Sequence, residues 1–395
     1  MTRALVSACV ALFLCSCNAL AEPPQLRREI MHAHEFSRAW RETLVTLPIT
    51  VGLFGGGRHA TEFQLTYFRP EGNGPFPIAI VHHGRGPDRT YPSRMRTNPL
   101  VTFLLRRGFA VMVPTRVGFG GLGQRVDPER GIGRCDDGGL RLQIDAVDAH
   151  TLAVLEFSRS QSWVDPSRVL LAGVSVGGYA SVAVAGRGRA GVIGVINFSG
   201  GSGGNPKTSP GKPCNPERIG RALAEAGKGE RVPNLWIYAE NDKYWGAQYP
   251  RDWHKLFVGA GGAGDFVRLP TLDDGHNTIG LGFAHWRKPV EQFLSRFGVQ
   301  APVMANGPPG SGFAALDDVG RLPGGSGPSD KLQAAYRAFL AQDVPRVFVI
   351  SLDGRAWMWR SGTTETPQGT LAKCEELAKR ACKVYAVDDR VVWTP

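Results

Sequence analysis

The sequence predicts an open α/β fold, a mostly parallel sheet with helices on both faces, followed by a small α+β C-terminal domain. Three observations carry this. From about Thr43 to Gly298, strand-like and helix-like segments alternate; the strand-like ones are short, near-continuous apolar runs; and a Pro/Gly/Ser-dense stretch then cuts off a final segment with its own pattern. Unbroken apolar strands are what a sheet covered on both faces needs. Alternating β and α segments imply parallel strands joined by right-handed crossovers.

The amino terminus, "MTRALVSACVALFLCSCNALAEPP", reads as an export signal. A basic start at Arg3 precedes an apolar run to about Cys17, and Ala19-Leu20-Ala21 offers a cleavage site before Glu22 and two prolines. The run is short for a membrane span, and no later stretch is long and apolar enough to be one. Leu14-Cys15-Ser16-Cys17 also resembles a lipobox, which would make Cys17 a lipidated first residue; cleavage after Ala21 is the preferred reading. The expected division is a signal peptide over 1–21, a catalytic domain over 22–300, a linker over 301–328 and an accessory domain over 329–395. Periplasmic or secreted localisation follows.

The 395 residues carry a net charge of +11. The basic residues are scattered through Gly-rich loops with no basic helix, so nucleic acid is not the expected partner. Of seven cysteines, Cys9, Cys15 and Cys17 lie in the signal, leaving Cys135, Cys214, Cys374 and Cys382. An even number in an oxidising compartment suggests two disulfides, with three connectivities open. No paired Cys/His spacing suggests zinc, and no metal is expected.

Two alternating runs, "TLVTLPITVGLF" and "TEFQLTYFRP", suit an antiparallel start. "FPIAIVHHG", "FAVMVPTRVG", "RVLLAGVS", "GVIGVINFSG", "NLWIYAEND" and "DFVRLPTLDDGH" follow as strands. Helix candidates between them are "PLVTFLLRRG", "LRLQIDAVDAHTLAVLEFSRSQ", the segment after Ser175, "PERIGRALAEAGKG" and "AHWRKPVEQFLSRFG". The stretch from Ala301 to Asp330 shows no period and is expected to be extended and mobile. Ser329 or Asp330 then caps "KLQAAYRAFLA", "RVFVISLDGRAWMWRSG" forms a hairpin, "GTLAKCEELAKRACK" a helix and "VYAVDDRVVW" a closing strand.

Chemistry concentrates at Gly173-Val174-Ser175-Val176-Gly177, a G-x-S-x-G motif after a strand and opening a helix. Such a turn exposes the serine Oγ above the carboxyl edge of the sheet, and side chains two positions either side would strike neighbouring backbone. A serine hydroxyl needs a base, and the base an orienting carboxylate. Asp242, leaving the sheet in "AENDKYW", is the expected acid, with Glu240 as fallback. His276 in "DDGHN" is the expected base; Asp273 and Asp274 make its turn, and His254 and His285 sit in helical patterns as packed or surface residues. The N–H of Val176 and of Arg85, in "HHGRG", are the expected oxyanion donors, with His82 and His83 supporting that loop.

"HHGRG", "GVSVGGY", "AENDKY" and "DGH", in that order, resemble the α/β-hydrolase superfamily, in its dienelactone hydrolase-like and prolyl-oligopeptidase-like branch. The resemblance covers about Pro75 to Gly298. It implies an α/β-hydrolase fold and an esterase, lactonase or peptidase with Ser175, Asp242 and His276 as triad. The chain departs from dienelactone hydrolases proper in having Ser for Cys, and no propeller precedes the catalytic region. The final segment resembles an accessory domain of exported bacterial proteins and is a candidate for envelope contact.

"VGFGGLGQ" contains G-x-G-x-x-G at Gly118, Gly120 and Gly123, but the Pro/Gly-broken segment behind it cannot supply the helix that holds a pyrophosphate. No cofactor is expected; the segment reads as a long active-site loop. Arginines 85, 89, 94, 96, 116, 125, 130 and 134 cluster in the two loops at the carboxyl edge. Most are expected to be solvated, with one or two free to meet a substrate carboxylate. The leading expectation is an exported serine hydrolase acting on a small ester or lactone. Against it stand a serine peptidase or amidase, and a catalytically silent envelope-binding protein.

Two pairing expectations complete the reading. A bond between Cys135 and Cys214 would join two loops as a cover over Ser175. Cys374 and Cys382 lie in one helix-like segment and would stand about 12 Å apart if it ran unbroken, so a bond there requires the helix to end near Lys379 or Arg380. A chain ending near Pro302 is expected to fold alone, because the catalytic region has its own sheet and final helix.

Overall fold

A computed structural model describes residues 40–85, 94, 99–120, 126–129, 137–229, 232–300, 308–324, 327–361 and 367–394. The signal segment, Cys17, Cys135 and arginines 89, 96, 125, 130 and 134 lie outside them.

Two sheets organise the chain. The first has eight strands in the order β1-β2-β4-β3-β5-β6-β7-β8. They are β1 Thr43–Gly52, β2 Arg58–Phe68, β3 Phe76–His82, β4 Ala110–Thr115, β5 Val164–Val174, β6 Val192–Phe198, β7 Asn234–Ala239 and β8 Gly264–Leu269. β1 pairs antiparallel with β2, and β2 antiparallel with β4, as the alternating apolar and polar residues of that start require. From β4 onward every pairing is parallel.

Among the described residues seven helices cover this sheet: α1 Pro99–Arg106, α2 Asp137–Arg159, α3 Val176–Ala185, α4 Pro216–Lys228, α5 Gln248–Gly259, α6 Thr278–Leu281 and α7 Phe283–Ser295. The strands show why both faces must be covered. Ile78 and Ile80 of β3 join one apolar cluster with Val147 of α2, Val182 of α3, Leu223 of α4 and Trp253 of α5. Their neighbours Ala79 and Val81 join another with Phe103 of α1, Ile279 of α6 and Trp286 and Phe293 of α7. Successive side chains of a strand point to opposite faces, so an unbroken apolar run buries both. Among the described residues no helix is long and apolar enough to cross a membrane.

The second sheet has the order β10-β9-β11-β12, from β9 Arg346–Ser351, β10 Trp357–Ser361, β11 Cys382–Val387 and β12 Arg390–Val391, all antiparallel. α8 (Asp330–Leu340) packs Leu332, Tyr336 and Phe339 on one face, with Ser329 capping it by accepting from Leu332 N–H. α9 (Pro367–Ala378) brings Cys374 to the other.

Residues 308–324, expected to be extended and mobile, are folded onto this second sheet. Phe313, Leu316, Val319 and Leu322 join the cluster beneath α8. Tyr336 Oη donates to the Leu316 carbonyl (2.8 Å), and Ser311 N–H to Val391 (2.8 Å). The Pro/Gly density hid four apolar residues whose burial offsets the cost of ordering that stretch.

The two units meet through buried charges. Arg107, just past α1, reaches Asp343 (3.0 Å) and Glu291 of α7 (2.5 Å) with a side chain 1% exposed. Arg287 of α7 and Arg346 of β9 both hold Asp389, each at 2.7 Å.

Candidate active site

β5 ends at Val174, and Ser175 turns the chain into α3 with φ 56° and ψ −123°. A non-glycine residue with positive φ is strained, and such strain gathers at functional sites. The flanking glycines permit the turn. A Cβ on Gly173 would stand 2.4 Å from the Gly177 carbonyl carbon, and one on Gly177 would stand 2.4 Å from the His82 carbonyl oxygen. No side chain fits either place.

Asp242 and His276 come together after β7 and β8. Asp242 Oδ2 lies 2.9 Å from His276 Nδ1, with the carboxylate fully buried and the imidazole 16% exposed. Asp242 Oδ1 accepts from Tyr244 N–H (2.7 Å), so both carboxylate oxygens are engaged. Asp274 shapes the histidine's turn, accepting from His276 N–H (3.0 Å). The path back to Ser175 runs through Gly201 and Trp245. Gly201 N–H donates to the Ser175 carbonyl (3.2 Å), a Cβ on Gly201 would stand 2.8 Å from the Trp245 ring, and that ring lies 5.5 Å from His276. No hydrogen bond joins Ser175 Oγ to His276 among the described residues; such contacts tighten when substrate binds.

The other candidates fall elsewhere. Glu240 is exposed and paired with Arg268 (2.8 Å). His254 packs between Trp236 and Phe266 with Nε2 at the Gly264 carbonyl, and His285 is exposed on α7.

This is the α/β-hydrolase fold. The strand order, the parallel pairing and the serine turn at the carboxyl end of β5 define it. No protein-family model matches the sequence, and no curated protein does. Solved structures with the hydrolase fold do. The uncomplexed acylaminoacyl peptidase of Pyrococcus horikoshii is 16% identical over 68% of this chain and 43% of its own, with a TM-score of 0.46. An acetyl xylan esterase from Paenibacillus sp. R4 is 17% identical over 69% of this chain and 93% of its own, at 0.43. A Pyrococcus furiosus esterase is 14% identical over 64% and 90%, at 0.44. The chain spans less than half the length of the acylaminoacyl peptidases it matches.

In this hydrolase fold the loop after β3 faces the serine turn. A Cβ on Gly84 would stand 3.1 Å from Ser175 Cβ. Among the described residues neither the Arg85 nor the Val176 N–H donates a hydrogen bond. Both histidines before the loop are buried. His82 Nε2 meets Thr151 Oγ1 (3.0 Å); His83 accepts at Nε2 from Arg116 N–H (3.0 Å), so its proton sits on Nδ1, which donates to the Gly84 carbonyl (2.6 Å). Burial first, then the Arg116 charge, hold both rings well below the usual histidine range.

Of the eight loop arginines, the three that are described are paired rather than solvated. Arg116 is wholly buried against Glu129, Nε to Oε1 at 2.5 Å, both side chains 0% exposed. Arg85 holds Asp127 (2.7 Å) and Glu129 (3.4 Å), and Arg94 holds Glu42 (2.8 Å). Two features escaped the sequence. One is the Arg116–Glu129 pair, whose only signal is an arginine closing an otherwise apolar strand. The other is Tyr244, whose ring stacks on His276 and whose only signal is its place two residues beyond Asp242.

The cysteines resolve in part. Cys374 and Cys382 are bonded, with Cα atoms 6.3 Å apart. α9 stops at Ala378 and Lys379 takes φ 53°, which turns Cys382 back as the bond requires. Cys214 is also disulfide-bonded; Cys135, its expected partner, lies outside the described residues.

Proposed function

We propose that this chain is an exported serine hydrolase of the dienelactone hydrolase-like branch, cleaving carboxylic esters or lactones through an acyl-enzyme. The observation that carries the reading is the 2.9 Å contact between buried Asp242 and His276 beside a strained serine turn, in the chain order Ser, Asp, His. In this reading Asp242 fixes the imidazole with its proton on Nδ1, leaving Nε2 free to accept. His276 Nε2 takes the Ser175 proton as Oγ attacks the carbonyl carbon, and the charge developing on the carbonyl oxygen meets the N–H groups of Val176 and Arg85. The tetrahedral species collapses when His276 returns the proton to the leaving alkoxide. Water, deprotonated by the same imidazole, then attacks the acyl carbon and frees Ser175. The Arg85 guanidinium is held by Asp127 and Glu129. It therefore leaves the recognition of a substrate carboxylate to other groups.

A fluorophosphonate probe and a panel of aryl esters, lactones and peptide amides test this, with Ser175→Ala as control. Labelling of the wild type, its loss in the variant, and turnover of esters or lactones ahead of amides is the expected result. No labelling would make the chain a binding protein, and faster turnover of amides would make it a peptidase.

A further inference from the structure

The loop between His83 and Arg85 is built from carbonyls as much as from amides. Arg116 Nη1 donates to the His83 carbonyl (2.6 Å) and Nη2 approaches the Gly84 carbonyl (3.4 Å). Its Nε and Nη2 also face Glu129, at 2.5 and 3.5 Å. The Arg116 backbone adds a third hold by donating to His83 Nε2, whose Nδ1–H reaches the same Gly84 carbonyl. A planar guanidinium with donors in a fixed fork is suited to gripping two adjacent carbonyls while its remaining edge faces a carboxylate.

This grip has a consequence across each peptide. In a trans peptide the C=O and N–H point to opposite sides, and the 84–85 bond is trans, the cis bonds being at Gly74-Pro75 and Val344-Pro345. With the Gly84 oxygen drawn to Arg116, the Arg85 N–H is turned away from it, on a loop that lies against Ser175. We propose that Arg116 is a positioning residue: its buried guanidinium, anchored by Glu129, sets the carbonyls of His83 and Gly84 and so aims the Arg85 N–H at the oxyanion. This deepens the hydrolase reading and rests on it.

Glu129 belongs to the same device. Without it the guanidinium would be a lone buried charge, free to seek solvent rather than the loop. Glu129 also accepts from Arg85 Nη1, so the loop is tied to this carboxylate from both sides of the turn.

The test compares full-length wild type, Arg116→Lys and Glu129→Gln on one aryl ester, and measures binding of a boronic acid whose adduct mimics the tetrahedral intermediate. Lysine keeps the charge but lacks the planar fork that spans two carbonyls while its other edge faces Glu129. The expected result is a fall in kcat of about 100-fold with KM within about twofold, and a parallel loss of boronate affinity, because a misaimed donor is felt only in the transition state. If Arg116→Lys does not fold, Glu129→Gln carries the same comparison. Unchanged kcat in a folded variant overturns the proposal, as does a fall in kcat with boronate affinity intact. Failure of the hydrolase reading looks different: the wild type itself would be inert, or Ser175→Ala would remain active.

Discussion

Tyr244 lays its ring on His276, centroids 3.9 Å apart and planes 25° from parallel, while its own N–H holds Asp242 at 2.7 Å. One residue therefore steadies the imidazole with its side chain and the carboxylate with its backbone. Tyr244→Ala keeps the second contact and loses the first. A stacked aromatic pair contributes about 0.5–1.5 kcal/mol, so kcat on a small ester should fall roughly two- to tenfold, with Tyr244→Phe near wild type. Equal rates for the alanine variant would reduce the ring to a lining of the cleft.

Asp242 and Glu240 sit two residues apart and should behave oppositely. Asp242→Asn leaves the shape intact but no longer favours the imidazole tautomer that accepts the serine proton, and turnover should drop by about 10⁴. Glu240→Gln breaks only an exposed pair with Arg268 and should leave kcat unchanged. Steady-state rates of the two variants decide between the carboxylates.

Three buried histidines should make the protein acid-labile. His82, His83 and His150 are held well below the usual histidine range, chiefly by burial, His150 to about 3. Their folded pKa values are depressed, so below pH 6.5 the unfolded chain binds protons that the folded one refuses. Stability is then full above pH 6.5 and lost as pH falls through 6 and 5. Each ring contributes up to about 1.4 kcal/mol per pH unit. Urea titrations from pH 7.5 to 5 should show this slope; a flat profile would mean that these rings titrate freely.

The docking charges revise the expectation that a chain ending near Pro302 folds undisturbed. Such a chain keeps Arg107 and Arg287, with side chains 1% and 4% exposed, and lacks Asp343 and Asp389, leaving both arginines to share Glu291. Uncovering one partner of a buried pair costs roughly 3–5 kcal/mol where the other cannot reach water. The truncated protein should melt well below the full chain while keeping ester activity at low temperature. A melting point equal to that of the full chain would show that the arginines find new partners.

Reducing the Cys374–Cys382 bond should loosen the second sheet first. The bond closes a short loop, for which chain entropy gives roughly 2–3 kcal/mol. Hydrogen exchange at β9 and β11 should rise under reductant while β5 stays protected. Uniform exchange would place the bond's effect on the whole molecule.

The serine turn and the sheet were legible because each depends on a local rule. Apolar runs broken by Gly, Asn or Asp mark covered strands, and Gly173 and Gly177 mark a turn that no Cβ can enter. The order of Asp242 and His276 could be read because each follows a strand end. The Arg116–Glu129 pair could not, because two charges in a Gly/Pro-rich loop have no period to betray burial. Residues 308–324 were misread for the converse reason, since their composition is that of a free linker and their partners Tyr336 and Val391 lie beyond it. Tyr244 was passed over because an aromatic after "END" looks like ordinary packing until its ring is seen on the imidazole.

Arg107 waits for a carboxylate 236 residues further along the chain, and Arg287 for one 102 residues on. A ribosome making this protein completes the serine turn, Asp242, His276 and the shared Glu291 long before either arginine can meet its second carboxylate. The first sheet thus leaves synthesis with its α1–α7 flank still wet, until the last sheet arrives to cover it.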